Sequence, residues 1–184
     1  MRLTILGAPN SGKGTQGRKI AERLGLFYLS TGGFFRDYFS KNNFFHDYTK
    51  EQFDSGLLCS DKTMNEFMKS LFEQGTILSD NYLIDSYPRT LYQGKYFEEL
   101  VTEPFNVIFL NIPKEVSIER AAARYSQEQR ADDLVAERRW DIFESQTLPL
   151  IYYYKRKGVV IEQNGVGNIE DINKVLEEKV RNIL

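Results

Sequence analysis

The chain has 184 residues with a formal net charge of −2, and 41% of its residues are hydrophobic. This length suits one well-filled α/β domain with small excursions, and the weak net charge argues against a surface built to bind nucleic acid. One cysteine, Cys59, excludes an internal disulfide and a cysteine-rich zinc site, and no apolar run is long enough to span a membrane. Because no signal-peptide pattern is present, we expect a cytoplasmic protein.

The first predicted element is a short apolar strand over residues 1–6, which runs into a glycine-rich turn and then a helix. The turn reads Gly7-Ala8-Pro9-Asn10-Ser11-Gly12-Lys13-Gly14-Thr15-Gln16, with the G-x-x-x-x-G-K spacing and a hydroxyl displaced by one position, to Thr15. Backbone N–H groups, the helix N-terminus and a lysine together form a phosphate cradle. An ordinary strand-to-helix turn that contains a lysine is the alternative, but the position between strand and helix favours a phosphate loop.

Four further stretches have the composition of short buried strands: Leu26–Leu29, Asn81–Asp85, Asn106–Leu110 and Gly158–Ile161. Residues 34–72 are rich in Phe and show no clear strand, so we expect helical fragments interrupted at Gly56. Strands separated by helices predict an α/β fold with a parallel sheet covered on both faces.

The polar candidates follow strands in this pattern. The phosphate loop, Thr31, Asp85 and Arg89 all fall at predicted carboxyl ends of strands, which meet at one edge of a parallel sheet. An acid at the end of a strand beside a phosphate loop can hold water around Mg²⁺. The sequence therefore predicts a nucleotide-phosphate site at this edge.

An arginine-dense segment lies between the last two predicted strands. Arg120 and Arg124 share a helix face, Arg130 precedes Asp132-Asp133, and Arg138-Arg139 follow. A solvated charged helix explains such runs in most proteins. A mobile flap that carries cations over a phosphate site is the sharper alternative.

These motifs resemble the adenylate kinase family over essentially the whole chain. The matching stretches are Gly7–Gln16, Leu29–Gly32 with Arg36, Ser55–Asp61, Leu83–Asp85 with Tyr87–Thr90 and Gln93, Arg120, Arg124, Arg130–Asp133, and Gln146–Ile151 with Tyr153-Tyr154. The resemblance implies a P-loop kinase fold in one core domain, 1–184, with five parallel strands and helices on both faces. It also implies a small helical acceptor-binding insertion at 30–60, a short lid without zinc at 125–135, and a monomer.

The resemblance implies a role for each matching residue. The loop residues Asn10, Ser11, Gly12, Lys13, Gly14 and Thr15 hold the ATP phosphates, Arg120 stacks near the ATP base, Arg124 clamps the transferring phosphoryl group, and the backbone at Gly167 borders the base. Arg36 and Arg89 grip the acceptor phosphate in the turn that contains Ser86, while Thr31, the backbone of Leu57, Leu58 and Cys59, and Gln93 surround the acceptor base.

Arg130 and Arg139 reach in from the lid, Asp85 orders Mg²⁺-bound water, and Lys13, Arg89, Arg124, Arg130 and Arg139 are the catalytic set. Arg139 is preferred to Arg138 by counting back from Gln146.

The activity implied is reversible transfer of the ATP γ-phosphoryl group to AMP, which gives two ADP, with Mg²⁺ and without a protein nucleophile. Kinases for UMP or CMP tend to have alanine where Thr31 stands, so AMP is favoured over UMP and CMP. Gly33 replaces a usual acid and Ser86 a usual glycine. With Gly33, Asp85 would be the lone strong carboxylate near the metal, so we expect weaker ordering of Mg²⁺. Gly33 is also the only feature that favours the alternative of a nucleotide-binding module with weakened turnover. A switch-type GTPase or ATPase is a further alternative, although no Asn-Lys-x-Asp segment supports guanine recognition.

Overall fold

A computed structural model describes residues 1–77 and 80–183. Seven strands and nine α-helices are found in this part of the chain. In chain order they are β1 (Arg2–Gly7), α1 (Lys13–Leu24), β2 (Phe27–Ser30), α2 (Thr31–Phe39), β3 (Phe44–Phe45), β4 (Tyr48–Thr49), α3 (Lys50–Asp54), α4 (Asp61–Glu73), β5 (Tyr82–Asp85), α5 (Leu91–Val101), β6 (Asn106–Asn111), α6 (Lys114–Glu128), α7 (Ala136–Ile142), α8 (Leu148–Arg156), β7 (Val160–Asn164) and α9 (Ile169–Arg181). A 3₁₀ turn (Ala131–Asp133) precedes α7, and a π-helical segment (Phe143–Thr147) joins α7 to α8.

The main sheet has five parallel strands, which confirms the prediction, and their order is β2-β5-β1-β6-β7. The register places Ile5 of β1 beside Asp85 on one side and Ile108 on the other. Gly7, Ser30 and Asp85 therefore end their strands at one edge of the sheet. This edge is where loops that bind ligands collect in open parallel sheets.

Helices cover both faces of the sheet, because side chains alternate along each buried strand. Leu3 and Ile5 pack with Ile20 of α1 and Leu176 of α9. Residues of the opposite parity, such as Leu6, face a larger core that includes α4, α5 and α8. Among the described residues, no helix combines the length and hydropathy needed to cross a bilayer.

Two strand predictions are wrong in detail. The sequence predicts a buried strand over Leu26–Leu29, but β2 runs from Phe27 to Ser30 at the edge of the sheet, and Phe27 is 37% exposed. A short apolar run does not reveal whether a strand is central or at an edge. The last strand begins at Val160 rather than Gly158, because Gly158, with φ of 72°, lies in the turn after α8.

The expectation of no strand in residues 34–72 is also wrong, since β3 and β4 pair as a small antiparallel hairpin. His46 stands in its turn with φ of 53°. A dense cluster of rings supports the hairpin, including Phe34 and Phe67 with centroids 4.4 Å apart. Its other members are Phe35, Tyr38, Phe39, Phe45, Tyr48 and Phe53. Packing of these rings, rather than local strand propensity, explains why two-residue strands pair here.

Candidate active site

The phosphate loop has a backbone conformation that favours glycine at two positions, Gly7 and Gly12. At Gly7 a Cβ atom would lie 2.4 Å from the carbonyl oxygen of Leu110, and φ is 155°. Asn10 and Gly12 also have positive φ, and α1 begins at Lys13. Within the described chain, the side-chain oxygens of Asn10 and Ser11 are buried without a hydrogen-bond partner. Since buried polar atoms normally have partners, these oxygens mark a loop shaped for a polar ligand.

Lys13 lies at the centre of the site. Its Nζ donates a hydrogen bond of 2.9 Å to the carbonyl oxygen of Ala8. Burial lowers the pKa of Lys13 to about 7; the Asp85 carboxylate opposes this shift, while nearby arginines, including Arg89 and Arg139, add to it. An anion in the cleft would favour the charged form of this lysine.

A wide cleft opens over the loop and is strongly cationic. Its lining contains Asn10 to Thr15, Asp85 and Ser86, together with Arg18, Arg36, Arg89, Arg120, Arg124, Arg130 and Arg139. Burial lowers the pKa of Arg36, Arg89 and Arg139, and neighbouring arginines add to this at Arg36 and Arg139. Positively charged arginines repel one another when they are buried together, and a bound polyanion relieves this repulsion. The cleft is therefore suited to phosphate groups.

Arg89 connects the cleft to a second, apolar cavity, because it lines both. Its Nε donates to the carbonyl oxygen of Ser86 at 2.9 Å, and its backbone N–H donates to Oε1 of Gln93 at 2.8 Å. Arg36 lies in the same cleft and donates to the carbonyl oxygen of Gly32 at 3.3 Å. Both arginines therefore face the cleft, and Arg89 alone of the two also reaches the apolar cavity.

The apolar cavity has aromatic and aliphatic walls. It is lined by Thr31, Gly32, Phe35, Tyr48, Phe53, Leu58, Cys59, Met64, Arg89 and Gln93. The Tyr48 hydroxyl donates to the carbonyl oxygen of Leu57 at 2.6 Å, which ties the hairpin to the segment predicted to border a base. The Leu57 side chain is itself 41% exposed. Burial raises the pKa of the Cys59 thiol to about 12, so this cysteine is an apolar wall rather than a nucleophile.

The two polar side chains predicted to face a base already have partners within the chain. Thr31 donates its hydroxyl to the backbone oxygens of Asp85 and Ser86, each at 3.2 Å. Gln93 donates from Nε2 to Oδ1 of Asp61 at 2.8 Å. Sequence reasoning missed Phe35, Tyr48 and Phe53 as cavity walls, and no local pattern reveals them, since the hairpin and helices α2 and α3 bring them together.

The arginines of the predicted lid are paired with acids. Arg124 donates from Nε to Oδ2 of Asp133 at 2.7 Å, and Arg139 forms a 2.8 Å ion pair with Asp132. Arg130 pairs with Glu128 at 2.5 Å. Arg139 lines the cleft, whereas Arg138 is exposed. Arg124, Arg130 and Arg139 all line the cleft, so the arginine-dense segment faces the phosphate loop, and its movement as a flap stays a prediction.

Two residues predicted to border a second base differ in placement. Arg120 lines the cleft, and its guanidinium donates to the carbonyl oxygen of Gly165 at 2.9 Å. Gly167 is exposed in the loop after β7, with φ of 135°. The backbone that Arg120 contacts is therefore that of Gly165, two residues before the predicted glycine.

Asp85 has the position and chemistry expected of a magnesium ligand. Its carboxylate lies against the start of α1, because a Cβ atom on Gly14 would be 3.7 Å from its Oδ2. It also lines the cationic cleft. Carboxylate oxygens are ligands that Mg²⁺ prefers, directly or through water, when it accompanies nucleotide phosphates. The site therefore fits Mg²⁺ held chiefly by phosphates and by one carboxylate through water.

The chain is similar to known proteins over nearly its full length. A family model described as "Adenylate kinase" matches residues 5–159. The adenylate kinase of Stenotrophomonas maltophilia (strain R551-3) is 30% identical over 178 residues, which cover 94% of this chain and 95% of that protein. The adenylate kinase of Rickettsia bellii (strain RML369-C) is 31% identical, and the match covers 98% of this chain and 99% of that protein. The adenylate kinase of Micrococcus luteus is also 31% identical, and the match covers 99% of this chain and 91% of that protein. The chain therefore belongs to the adenylate kinase family.

Proposed function

We propose that this protein catalyses reversible transfer of the γ-phosphoryl group of ATP to AMP, which forms two ADP and balances the adenine nucleotide pool. The observation that carries the proposal is the continuity of the site, in which Arg89 lines both the cationic cleft over the phosphate loop and the apolar cavity. A donor triphosphate on the loop and an acceptor base in the cavity would bring their phosphates together at this arginine. The names of the similar proteins support the same activity.

The proposed roles follow from position. Lys13 and the backbone from Asn10 to Thr15 bind the donor phosphates, with Arg120 beside the donor base, towards the loop that contains Gly167. Arg36 and Arg89 bind the acceptor phosphate, next to the turn at Ser86. Thr31, Leu57, Leu58, Cys59 and Gln93 surround the acceptor base, of which Thr31, Leu58, Cys59 and Gln93 line the cavity.

The reaction requires charge compensation rather than a nucleophilic side chain, because the acceptor phosphate is itself the nucleophile. Arg124, Arg130 and Arg139 would leave their acids and turn to the transferring group when the lid, 125–135, closes over the site. The insertion at 30–60 would close over the acceptor in the same way. Closure excludes water, which would otherwise accept the phosphoryl group.

Asp85 would hold bound Mg²⁺ through water. When present, the ion neutralises charge on the donor phosphates. We further propose that the protein acts as a monomer in the cytoplasm on small nucleotides alone, without nucleic acid or membrane partners.

A coupled assay of ADP formation tests the proposal, with ATP and AMP, UMP or CMP at equal concentration. We expect turnover with AMP to exceed turnover with either pyrimidine nucleotide clearly. A preference for UMP or CMP would replace the acceptor assignment. Binding of ATP and AMP without ADP formation would identify a nucleotide-binding module instead, and ATP hydrolysis unaffected by AMP would indicate an ATPase.

A further inference from the structure

The Asp85 carboxylate is held by three hydroxyl groups from two strand ends. The Tyr28 hydroxyl donates to Oδ2 at 2.8 Å, and the Ser30 hydroxyl donates to the same oxygen at 3.2 Å. On the other side, the Ser86 hydroxyl donates to Oδ1 at 2.8 Å. An ionised carboxylate offers about four acceptor positions, so roughly one is left for a further partner.

The strand register places these hydroxyls. Ser30 pairs with Asp85 across the parallel β2–β5 ladder, and Tyr28 lies two residues earlier on the same face of β2. The Tyr28 ring is itself fixed between elements, because the Arg18 guanidinium lies 4.9 Å from its centroid and a Cβ atom on Gly17 would be 3.0 Å from its edge. The phenol therefore has little freedom to leave the carboxylate.

Ser86 makes its contact at a conformational cost. Its φ is 70°, in the left-handed region, where a residue other than glycine is disfavoured. Glycine would fit this backbone without strain, but it would provide no hydroxyl for Oδ1 of Asp85. Ser86 therefore destabilises the local backbone, but its hydroxyl restrains the Asp85 carboxylate.

We propose that Tyr28 and Ser86 are positioning residues that orient Asp85 towards the water shell of the nucleotide-bound Mg²⁺. This inference rests on the proposed kinase function. Partners that orient a metal-binding carboxylate commonly contribute 10–100-fold to metal affinity or activity. Since three hydroxyls orient the Asp85 carboxylate here, we expect the loss of one to weaken the magnesium-dependent part of nucleotide binding by about 3–10-fold.

The first test is Tyr28→Phe, which removes the hydroxyl and keeps the ring beneath Arg18. Calorimetric titration with a non-hydrolysable ATP analogue, with and without Mg²⁺, gives the affinity gained from the ion. We expect this gain to fall by about 3–10-fold, whereas affinity without Mg²⁺ stays within about twofold of wild type. Tyr92→Phe is the matched control, because Tyr92 is 64% exposed. An unchanged magnesium gain, or an equal loss with and without Mg²⁺, would overturn the inference.

The second test separates positioning from structural support, and it applies even if Tyr28→Phe folds poorly. Ser86→Gly relieves the left-handed strain, so we expect its melting temperature to equal or exceed that of wild type while its magnesium gain falls. If Ser86 only stabilised the fold, the melting temperature and the magnesium-dependent gain in affinity would fall together in this variant, and that result would contradict the inference. ADP formation by the wild-type protein with AMP tests the kinase function separately. Failure of the proposed kinase function can therefore be distinguished from failure of the positioning role proposed for Tyr28 and Ser86.

Discussion

Replacing Lys13 by methionine should make the protein more stable and almost inactive. Lys13 is partly buried between the phosphate loop and the arginines of the cleft, and desolvation lowers its pKa from 10.5 to about 7. The folded protein therefore disfavours the charged lysine that the unfolded chain carries at neutral pH. Methionine has a similar length without the charge, so the variant avoids this unfavourable burial.

The magnitude follows from the shift. At 1.36 kcal/mol per unit of pKa, the full displacement corresponds to an upper bound of about 5 kcal/mol. The loop and water relax around a charged lysine, and the Ala8 hydrogen bond is lost on substitution, so we expect a net gain of about 1–2 kcal/mol at pH 7. For a chain of this size that gain raises the melting temperature by about 2–8 °C. The rate of ADP formation should fall at least ~100-fold, because the donor phosphates lose their mobile cation.

The difference in stability between Lys13→Met and wild type should depend on pH in one direction only. Between pH 7 and pH 10.5 the unfolded chain binds a proton at Lys13 that the folded protein has released, so wild-type stability rises with pH in this interval. The advantage of Lys13→Met is therefore complete below about pH 7 and disappears towards pH 10.5. Differential scanning calorimetry at pH 6.5, 8 and 9.5 measures it, with exposed Lys62→Met as a control expected within about 0.5 kcal/mol of wild type. A variant less stable than wild type at pH 6.5, or an advantage that grows with pH, would refute the reasoning.

Three further predictions concern other contacts. Arg89→Lys removes a guanidinium that lines both cleft and cavity, so kcat/KM for AMP should fall about 10²–10³-fold. The control Arg138→Lys changes an exposed residue and should remain near wild type. Equal kcat/KM values for the two variants would contradict the placement of Arg89. In Gly94→Ala the new Cβ would lie 2.4 Å from Cδ1 of Leu150, so urea unfolding should show a loss of about 1–3 kcal/mol, and an unchanged midpoint would mean that α8 shifts freely. Gly33→Asp adds a carboxylate on the first turn of α2, so half-saturation by Mg²⁺ should occur at a concentration at least about twofold lower; an unchanged magnesium dependence would argue against weakened ordering in the wild type.

The parts of the site that local chemistry determines were predictable. The phosphate loop needs glycines at positions of positive φ and a helix that starts at Lys13, and both are readable from one stretch of sequence. Asp85 was predictable because it directly ends a buried strand next to the loop strand. Five parallel strands were predictable from the alternation of strands and helices together with the family resemblance, whereas their order in the sheet was not predicted.

The acceptor side was less predictable, since it depends on contacts between elements. Phe35, Tyr48 and Phe53 lie on three separate elements, and their aromatic character alone predicts core packing. Only the pairing of β3 with β4 brings Tyr48 to the cavity. The same limit applies to Thr31, which lines the cavity and donates its hydroxyl to the backbone oxygens of Asp85 and Ser86, a contact that its own stretch of sequence does not reveal.

The acids beside the lid arginines explain how such a cationic cleft can exist before a nucleotide arrives. Asp132 and Asp133 are both buried and pair with Arg139 and Arg124, so the clustered guanidinium groups are partly neutralised within the chain. A carboxylate held near an arginine is a weaker partner than a triphosphate, which brings several charges and more acceptor oxygens. We propose that exchange of one anion for the other links nucleotide binding to movement of the lid, because Arg124 cannot donate the same N–H groups both to Asp133 and to a transferring phosphoryl group.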